Sequence, residues 1–219
     1  MKRICSAEEA VRNIHDGASI MVGGFMCCGQ PLRVVDALLA KGSKGLTLIC
    51  NDAGFPDRGV GKLIVAGRVK HLIASHIGLN PVAGDKMRSG EMVVELVPQG
   101  TLAERIRCGG SGLGGVLTPT GLGTEVEKNK RKVEVDGKSY LLETALRADF
   151  ALVKAHTADN YGNAFVAKSA KNFNTVMAIS ARHVVLETDA LVAVGKVDPE
   201  LVGIPGVFVN DIVDGGFHG

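Results

Sequence analysis

Tryptophan is absent from the 219-residue chain, and aromatics of all kinds make up only 4%. An excess of either charge is missing too. Lys+Arg 25 against Asp+Glu 23 leaves a net +2, which gives no electrostatic footprint for a nucleic acid or an anionic membrane surface. Cysteines are few, odd in number and unpaired in motif. Cys5, Cys27, Cys28, Cys50 and Cys108 form no CxxC, which argues against a disulfide framework or a zinc cluster and for a reducing compartment. Long apolar runs are lacking as well. The most apolar stretch, Ala18 to Gly29, is about twelve residues and broken by glycine, against the roughly 20 needed to span a bilayer. The N-terminus has no apolar run of signal-peptide type. The expectation is a cytoplasmic protein that meets neither membrane nor nucleic acid.

What is present is an ordinary globular balance, 46% hydrophobic and 22% charged, which excludes wholesale disorder. The length suits one α/β domain, residues 1–219, with a sizeable core. Glycine is the one residue in excess, at 29. With few aromatics beside it, this points to sites built from backbone rather than from large side chains.

Along the chain, Ser6-Ala7-Glu8-Glu9 is a capping box opening a helix with Ala7, Ala10, Val11 and Ile14 on one face, ended by Asp16-Gly17. Ala18 to Val22 reads as a strand buried on both faces. Gly23 to Gln30 is a loop, Pro31 opens a helix to about Ala40, and Leu46 to Cys50 is the next strand. This is a βαβ unit. A helix at Val60 to Ala66 and strands at His71 to Ser75 and Met92 to Val97 follow. Thr101-Leu102-Ala103-Glu104 reads as a second capping box for a short helix ending near Cys108. Asp136-Gly137 between Lys132–Val135 and Lys138–Leu141 is a type I′ hairpin signal. Strands at Ala151 to Ala155 and Val184 to Glu187 flank a helix at Ala170 to Ala181. The pattern shows no internal repeat, and it predicts a mostly parallel sheet with flanking helices and an inserted β-hairpin.

Two phosphate motifs fail on context. Gly110-Ser111-Gly112-Leu113-Gly114-Gly115 fits GxGxxG, but a helix precedes it where a dinucleotide site needs a strand. Gly137-Lys138-Ser139 has Lys132 where a Walker loop needs its first glycine. His71 and His76 are an odd number apart on a strand, hence on opposite faces, and cannot share a metal. Cys27-Cys28 reads as small apolar filler beside a glycine loop.

The loop from Gly23 to Pro31 is the informative segment. It joins a buried strand to a helix N-terminus, where open α/β sheets bind ligands and where backbone N–H groups meet a positive helix end. A tight strand-to-helix turn without a ligand would look the same, and geometry alone leaves both readings open.

These residues also carry a resemblance. Asp16-Gly17, Ile20-Met21-Val22-Gly23-Gly24-Phe25, Gly29 and Pro31 resemble the N-terminal signature of family I CoA-transferases. Asn51-Asp52-Ala53-Gly54 is similar to the family's second loop. Val97-Pro98-Gln99-Gly100-Thr101 through Arg107, the glycine run and Thr118 to Thr124 resemble its longest block. Ala148 to Ala155, Asp159 with Gly162-Asn163, and Lys171-Asn172-Phe173-Asn174 complete a match over residues 2 to 213.

The resemblance is nearest to the separate α subunits of bacterial acetate, acetoacetate or butyrate CoA-transferases. It implies the CoA-transferase fold and transfer of CoA from a short-chain acyl-CoA to a carboxylic acid. CoA is then a substrate, and no other cofactor is implied. The chemistry it implies is nucleophilic catalysis by a glutamate of a β subunit, through an acyl-glutamyl anhydride and a glutamyl-CoA thioester. That glutamate lies in a Ser-Glu-Asn-Gly-like motif, and no glutamate here is followed by Asn, Ser or Gly. The resemblance therefore puts no catalytic residue in this chain and implies a β-subunit partner, as α2β2 or a larger heteromer. Gly23, Gly24, Phe25, Met26, Cys27, Cys28 and Gly29 would be the CoA-binding loop, and Gln99 the contact to the substrate carboxylate. Read without the family, Gln99 is a loop residue bonding backbone. Glu95 is either a supporting group behind Gln99 or an ordinary solvated charge. The same fold serves sugar-phosphate isomerases and ligand-sensing domains, which would need an acid–base pair or a DNA-binding module. A non-catalytic scaffold partner is the remaining alternative.

Overall fold

The computed structural model describes residues 1–216, so the last three residues of the expected 1–219 domain lie outside the described residues. Its strands are β1 (Arg3–Ile4), β2 (Ser19–Val22), β3 (Leu46–Cys50), β4 (Val69–Ala74), β5 (Val93–Leu96) and β6 (Gly115–Thr118). They continue as β7 (Lys132–Val135), β8 (Lys138–Thr144), β9 (Ala148–Asp159), β10 (Ala164–Phe165), β11 (Ala181–Val192) and β12 (Asp211–Asp214). The helices are α1 (Ala7–Ala10), α2 (Leu32–Lys41), α3 (Val60–Val65), α4 (Pro81–Ser89), α5 (Gln99–Gly110) and α6 (Lys171–Ala178). The main sheet runs β1-β12-β11-β9-β2-β3-β4-β5, and every pair along this path is parallel. β10 folds back antiparallel on β9.

Both faces of this sheet are covered, which explains why its strands show no polar alternation. Ile20 and Val22 of β2 pack with Val34, Val35 and Leu38 of α2 and Leu63 and Ile64 of α3. Met21, between them, points the other way and packs with Leu102 and Ile106 of α5 and Met177 of α6. The α/β expectation, a mostly parallel sheet between helices, holds.

β2 and β9 are neighbours whose chains leave in opposite directions. After β2 the chain crosses through α2 to β3, and after β9 it crosses through α6 to β11 on the other side. Such a reversal opens a crevice at the carboxyl ends of the two strands. The Gly23–Gln30 loop follows β2 at that point.

Local signals were the dependable ones. The Ser6 capping box is complete, with Ser6 Oγ accepting from Glu9 N–H and the Glu9 carboxylate accepting from Ser6 N–H. Asp136 and Gly137 both have positive φ, +49° and +70°, as a type I′ turn demands. Several expectations need correction. The first helix stops at Ala10 and only its buried face continues, through Val11 and Ile14. Thr101 caps nothing. α5 already begins at Gln99 behind Pro98, which leaves Thr101 inside the first turn with its hydroxyl buried and unpaired. The helix also runs past Cys108 to Gly110. The expected hairpin is part of a three-stranded antiparallel sheet, β6-β8-β7. α4 has no counterpart in the sequence reading, because Ala83 is its only buried residue and no apolar stripe marks it.

One buried side chain ties the crevice together. Asn174 of α6, fully buried, accepts from Lys154 N–H at 2.9 Å and donates to the carbonyls of Gly29 and Ala170, each at 2.9 Å. Asn174→Ala removes its bonds to three part-buried backbone groups and should cost about 1–3 kcal/mol of stability. Thermal or urea unfolding reads this out, and a loss below about 0.5 kcal/mol would show that Asn174 is not the tie described.

Candidate functional site

The Gly23–Gly29 loop closes on itself before it meets anything else. Phe25 and Cys28 exchange N–H···O bonds of 2.9 and 2.8 Å, and Met26 and Cys27 between them have φ of +47° and +65°. This is a two-residue turn with left-handed backbone at two residues that carry side chains, a strained state of order 1–3 kcal/mol per residue. Two neighbours hold it. Asp52 Oδ2 accepts from Met26 N–H at 2.9 Å, and the buried Cys27 thiol donates to Arg58 O at 3.6 Å. Phe25 and Met26 stay about 40% exposed at the tip.

The glycines serve this packing rather than open access for a ligand. A Cβ on Gly23 would run into Asn174 Oδ1, and one on Gly29 would sit 2.6 Å from Ala170 Cβ. On Gly24 it would lie 2.8 Å from Gln30 N and 2.9 Å from Cys28 O, within the loop's own backbone. The positive end of α2 is also occupied. Glu187 Oε2, buried on β11, accepts from Arg33 N–H at 3.0 Å and Val34 N–H at 3.1 Å, while Lys154 Nζ holds its other oxygen at 3.0 Å. Two of the first free N–H groups of this helix are thus taken by Glu187. The donors left in the loop are the N–H groups of Gly24, Cys27 and Gly29, which have no acceptor among the described residues.

A second loop, after β3, repeats the first. Gly54-Phe55-Pro56-Asp57-Arg58-Gly59 matches Gly24-Phe25-Met26-Cys27-Cys28-Gly29 thirty residues on, with a Phe55–Arg58 bridge answering Phe25–Cys28. The shared glycine–phenylalanine spacing is the sequence signal for the shared turn. The loops interlock where Gln30 Oε1 accepts from Val60 N–H at 3.1 Å.

Asn51 and Asp52 join these loops to Gln99. Asp52, buried, accepts from Met26 N–H, Gly54 N–H (2.9 Å) and Asn51 Nδ2 (2.8 Å). Asn51 Oδ1 in turn accepts from Gln99 Nε2 at 2.6 Å and from Ser75 Oγ at 3.2 Å. Gln99 is thus bonded to a side chain and not to backbone, and it is the first residue of α5. One of its two amide hydrogens is used, and the other is free for a ligand. Glu95 is no support for it. Glu95 pairs with buried Arg105 at 2.6 Å, and Arg105 also donates to Thr144 O at 2.8 Å.

Around Gln99 lies a cavity of about 390 Å³, with Phe25, Met26 and Leu79 as its apolar lining and Asn51, Asp52 and Gln99 as its polar lining. A second cleft of about 380 Å³ is lined by Cys28, Gly29, Arg58, Lys154 and His156. The loop therefore borders both: Phe25 and Met26 line the cavity with Gln99, while Cys27, Cys28 and Gly29 line the second cleft, and the hydrogen bonds linking the loop to Gln99 run from Met26 through Asp52 and Asn51. Cys27 is the filler expected, and burial pushes its thiol pKa up. Cys28 is not filler: it is exposed, with Sγ 3.1 Å from Ser169 Oγ. The arrangement offers neutral donors to an oxyanion or carboxylate, and Ser75 Oγ is turned into the strut by donating to Asn51 O at 2.7 Å.

The family described as Coenzyme A transferase matches residues 4–215. The acetate CoA-transferase subunit alpha of Escherichia coli (strain K12) is 52% identical over 211 residues, 96% of either chain. The acetoacetyl-CoA:acetate/butyrate CoA transferase alpha subunit of Clostridium acetobutylicum is 52% identical over 198 residues, 90% of this chain and 91% of the relative. Among solved structures, an acyl-CoA transferase from Escherichia coli O157:H7, a thioester complex with CoA, superposes with a TM-score of 0.84 at 26% identity. The match covers 97% of this chain and 47% of that one, so this chain spans about half the length of the solved enzyme. The glutaconate coenzyme A-transferase of Acidaminococcus fermentans shares the fold, with a TM-score of 0.84 at 19% identity over 97% of this chain and 75% of that one. With the signature loop, the second loop and Gln99 assembled at one crevice, the chain belongs to the coenzyme A transferase family.

Proposed function

We propose that this chain is the α subunit of a heteromeric CoA-transferase, working with a β subunit as α2β2 or a larger assembly. It moves CoA between a short-chain acyl-CoA, of the acetyl-, butyryl- or acetoacetyl-CoA class, and a carboxylic acid. The observation that carries the reading is the Gln99–Asn51–Asp52–Met26 chain of hydrogen bonds, which links the tip of the glycine loop to Gln99 beside one cavity. Two relatives at 52% identity are named as alpha subunits, and the solved acyl-CoA transferase is about twice as long, which leaves room for a second half.

In this reading the labour is divided. The β subunit supplies the glutamate nucleophile, which attacks the thioester carbonyl, expels CoA thiolate and leaves an acyl-glutamyl anhydride. The thiolate then attacks the glutamyl carbonyl of the anhydride, releasing the first acid and leaving glutamyl-CoA. The incoming acid repeats both steps in reverse. Every step places negative charge on a carbonyl oxygen, and this chain supplies neutral donors for it. The N–H groups in the Gly23–Gly29 loop contact CoA and that oxygen, and the free amide hydrogen of Gln99 holds the acid's carboxylate. Neutral donors hold a carboxylate without fixing it as strongly as an ion pair would, which keeps the acid reactive.

Purified without a β subunit, the chain should show no exchange between acyl-CoA and acid, and adding the β chain should restore it. Hydroxylamine after incubation with acyl-CoA should mark only the partner. Robust exchange by this chain alone would contradict the division of labour. In the heteromer, Gln99→Ala should lower kcat/KM by about 2–4 kcal/mol of transition-state stabilisation, the scale of one oxyanion donor. Gln99→Glu should be worse, since it sets a like charge beside the acid and an acceptor against Asn51 Oδ1. Unchanged kcat/KM in Gln99→Ala would remove Gln99 from the site.

A further inference from the structure

The small sheet β6-β8-β7 ends on a strand with one open side. Among the described residues β7, Lys132–Val135, bonds to β8 alone. Its register sets Val133 opposite Tyr140, and Leu142 N–H donates to Arg131 O at 2.9 Å. In an antiparallel ladder this turns the backbone groups of Arg131, Val133 and Val135 toward β8 and those of Lys132 and Glu134 outward. Neither the Lys132 N–H nor the Glu134 N–H finds an acceptor among the described residues. Both side chains are exposed and share one face of the strand, while Val133 lies on the other. Lys132 pairs with Glu127 of its own chain and stays about half exposed, and Glu134 has no ion pair among the described residues.

We propose that this edge docks a second copy of the chain, β7 against β7, antiparallel about a two-fold axis. Charge selects both the occupant and the register. Edge strands are commonly guarded by charges that repel another strand, but β7 carries one charge of each sign. Pairing centred on Lys132 or on Glu134 sets like charges directly against each other, which is unfavourable. Pairing centred on Val133 sets Lys132 against Glu134 of the second copy and Glu134 against its Lys132. On the opposite face Val133 then meets Val133 of the second copy. Each Lys132–Glu134 pair also exchanges both N–H···O bonds, so the outward backbone groups of both residues find partners. The edge is thus complementary to itself, as a two-fold interface requires. This inference does not rest on the function proposed above; in a heteromer the same contact joins two α chains.

Sedimentation equilibrium of the full chain over a concentration series tests the contact. The unaltered chain should dimerise. Glu134→Lys and, separately, Lys132→Glu set like charges across both pairs, and either should weaken the dimer by roughly tenfold or more. Lys132→Glu also places a like charge beside Glu127, so Glu134→Lys remains informative if that variant fails to fold. The double variant carrying both exchanges restores opposite charges and should dimerise as the unaltered chain does. Mixing the two single variants should favour the mixed dimer over either homodimer, because a negative edge then meets a positive one. A chain that stays monomeric up to about 100 µM would overturn the inference. A dimer of equal affinity in the unaltered chain and every variant would overturn it as well, since the contact would then lie elsewhere.

Discussion

A buried carboxylate that meets only neutral donors, Asp52, is what the two glycine loops and Gln99 depend on. Its two oxygens accept from the tip of one loop, from the turn of the other and from the neighbouring Asn51 amide. A charged acceptor makes each of these bonds stronger than a neutral one. That strength is needed because Met26 and Cys27 are held in left-handed backbone that side chains disfavour. The sheet makes the arrangement possible. β2, β3, β4 and β5 are successive parallel neighbours, so their carboxyl ends emerge side by side. From these ends come, in order, the Met26 loop, Asn51 and Asp52, Ser75 and His76, and Gln99.

The same geometry bears on the division of labour proposed above. What converges on the cavity are amide and backbone donors. The acids and bases with buried positions nearby are spent on structure: Glu187 on the end of α2 and Lys154, Arg105 on Glu95 and on the Thr144 carbonyl. In the proposed reading, the group that attacks the thioester comes from the second chain.

Much of the fold was legible because it is written locally. A capping box, an Asp-Gly turn and strands buried on both faces depend on residues within a few positions of one another, and β3 agrees with its expected span end to end. The errors at the crevice share a physical cause, distance along the chain. Glu187 caps α2 from about 150 residues away, so nothing near Pro31 signals that this helix end is closed. Asn174 likewise explains Gly23, and Ala170 explains Gly29, whose lack of a side chain otherwise suggests room for a ligand. Thr101 had the right spacing for a cap, yet Pro98 had already started the helix. Resemblance brought Asn51 and Asp52 to notice as a loop of the family, but the hydrogen bonds from Asn51 to Gln99 and from Met26 to Asp52 exist only in the folded chain.

Hydrogen exchange at the Met26 amide tests the role of Asp52 most directly. Met26 sits at an exposed turn, where an amide without an acceptor exchanges at nearly the rate of an unstructured chain. The account predicts exchange slowed by roughly 100-fold or more in the native protein, with the protection lost in Asp52→Ala while β2 stays protected. Exchange of Met26 at the unstructured rate in the native protein would contradict it, because the loop would then hold its shape without Asp52.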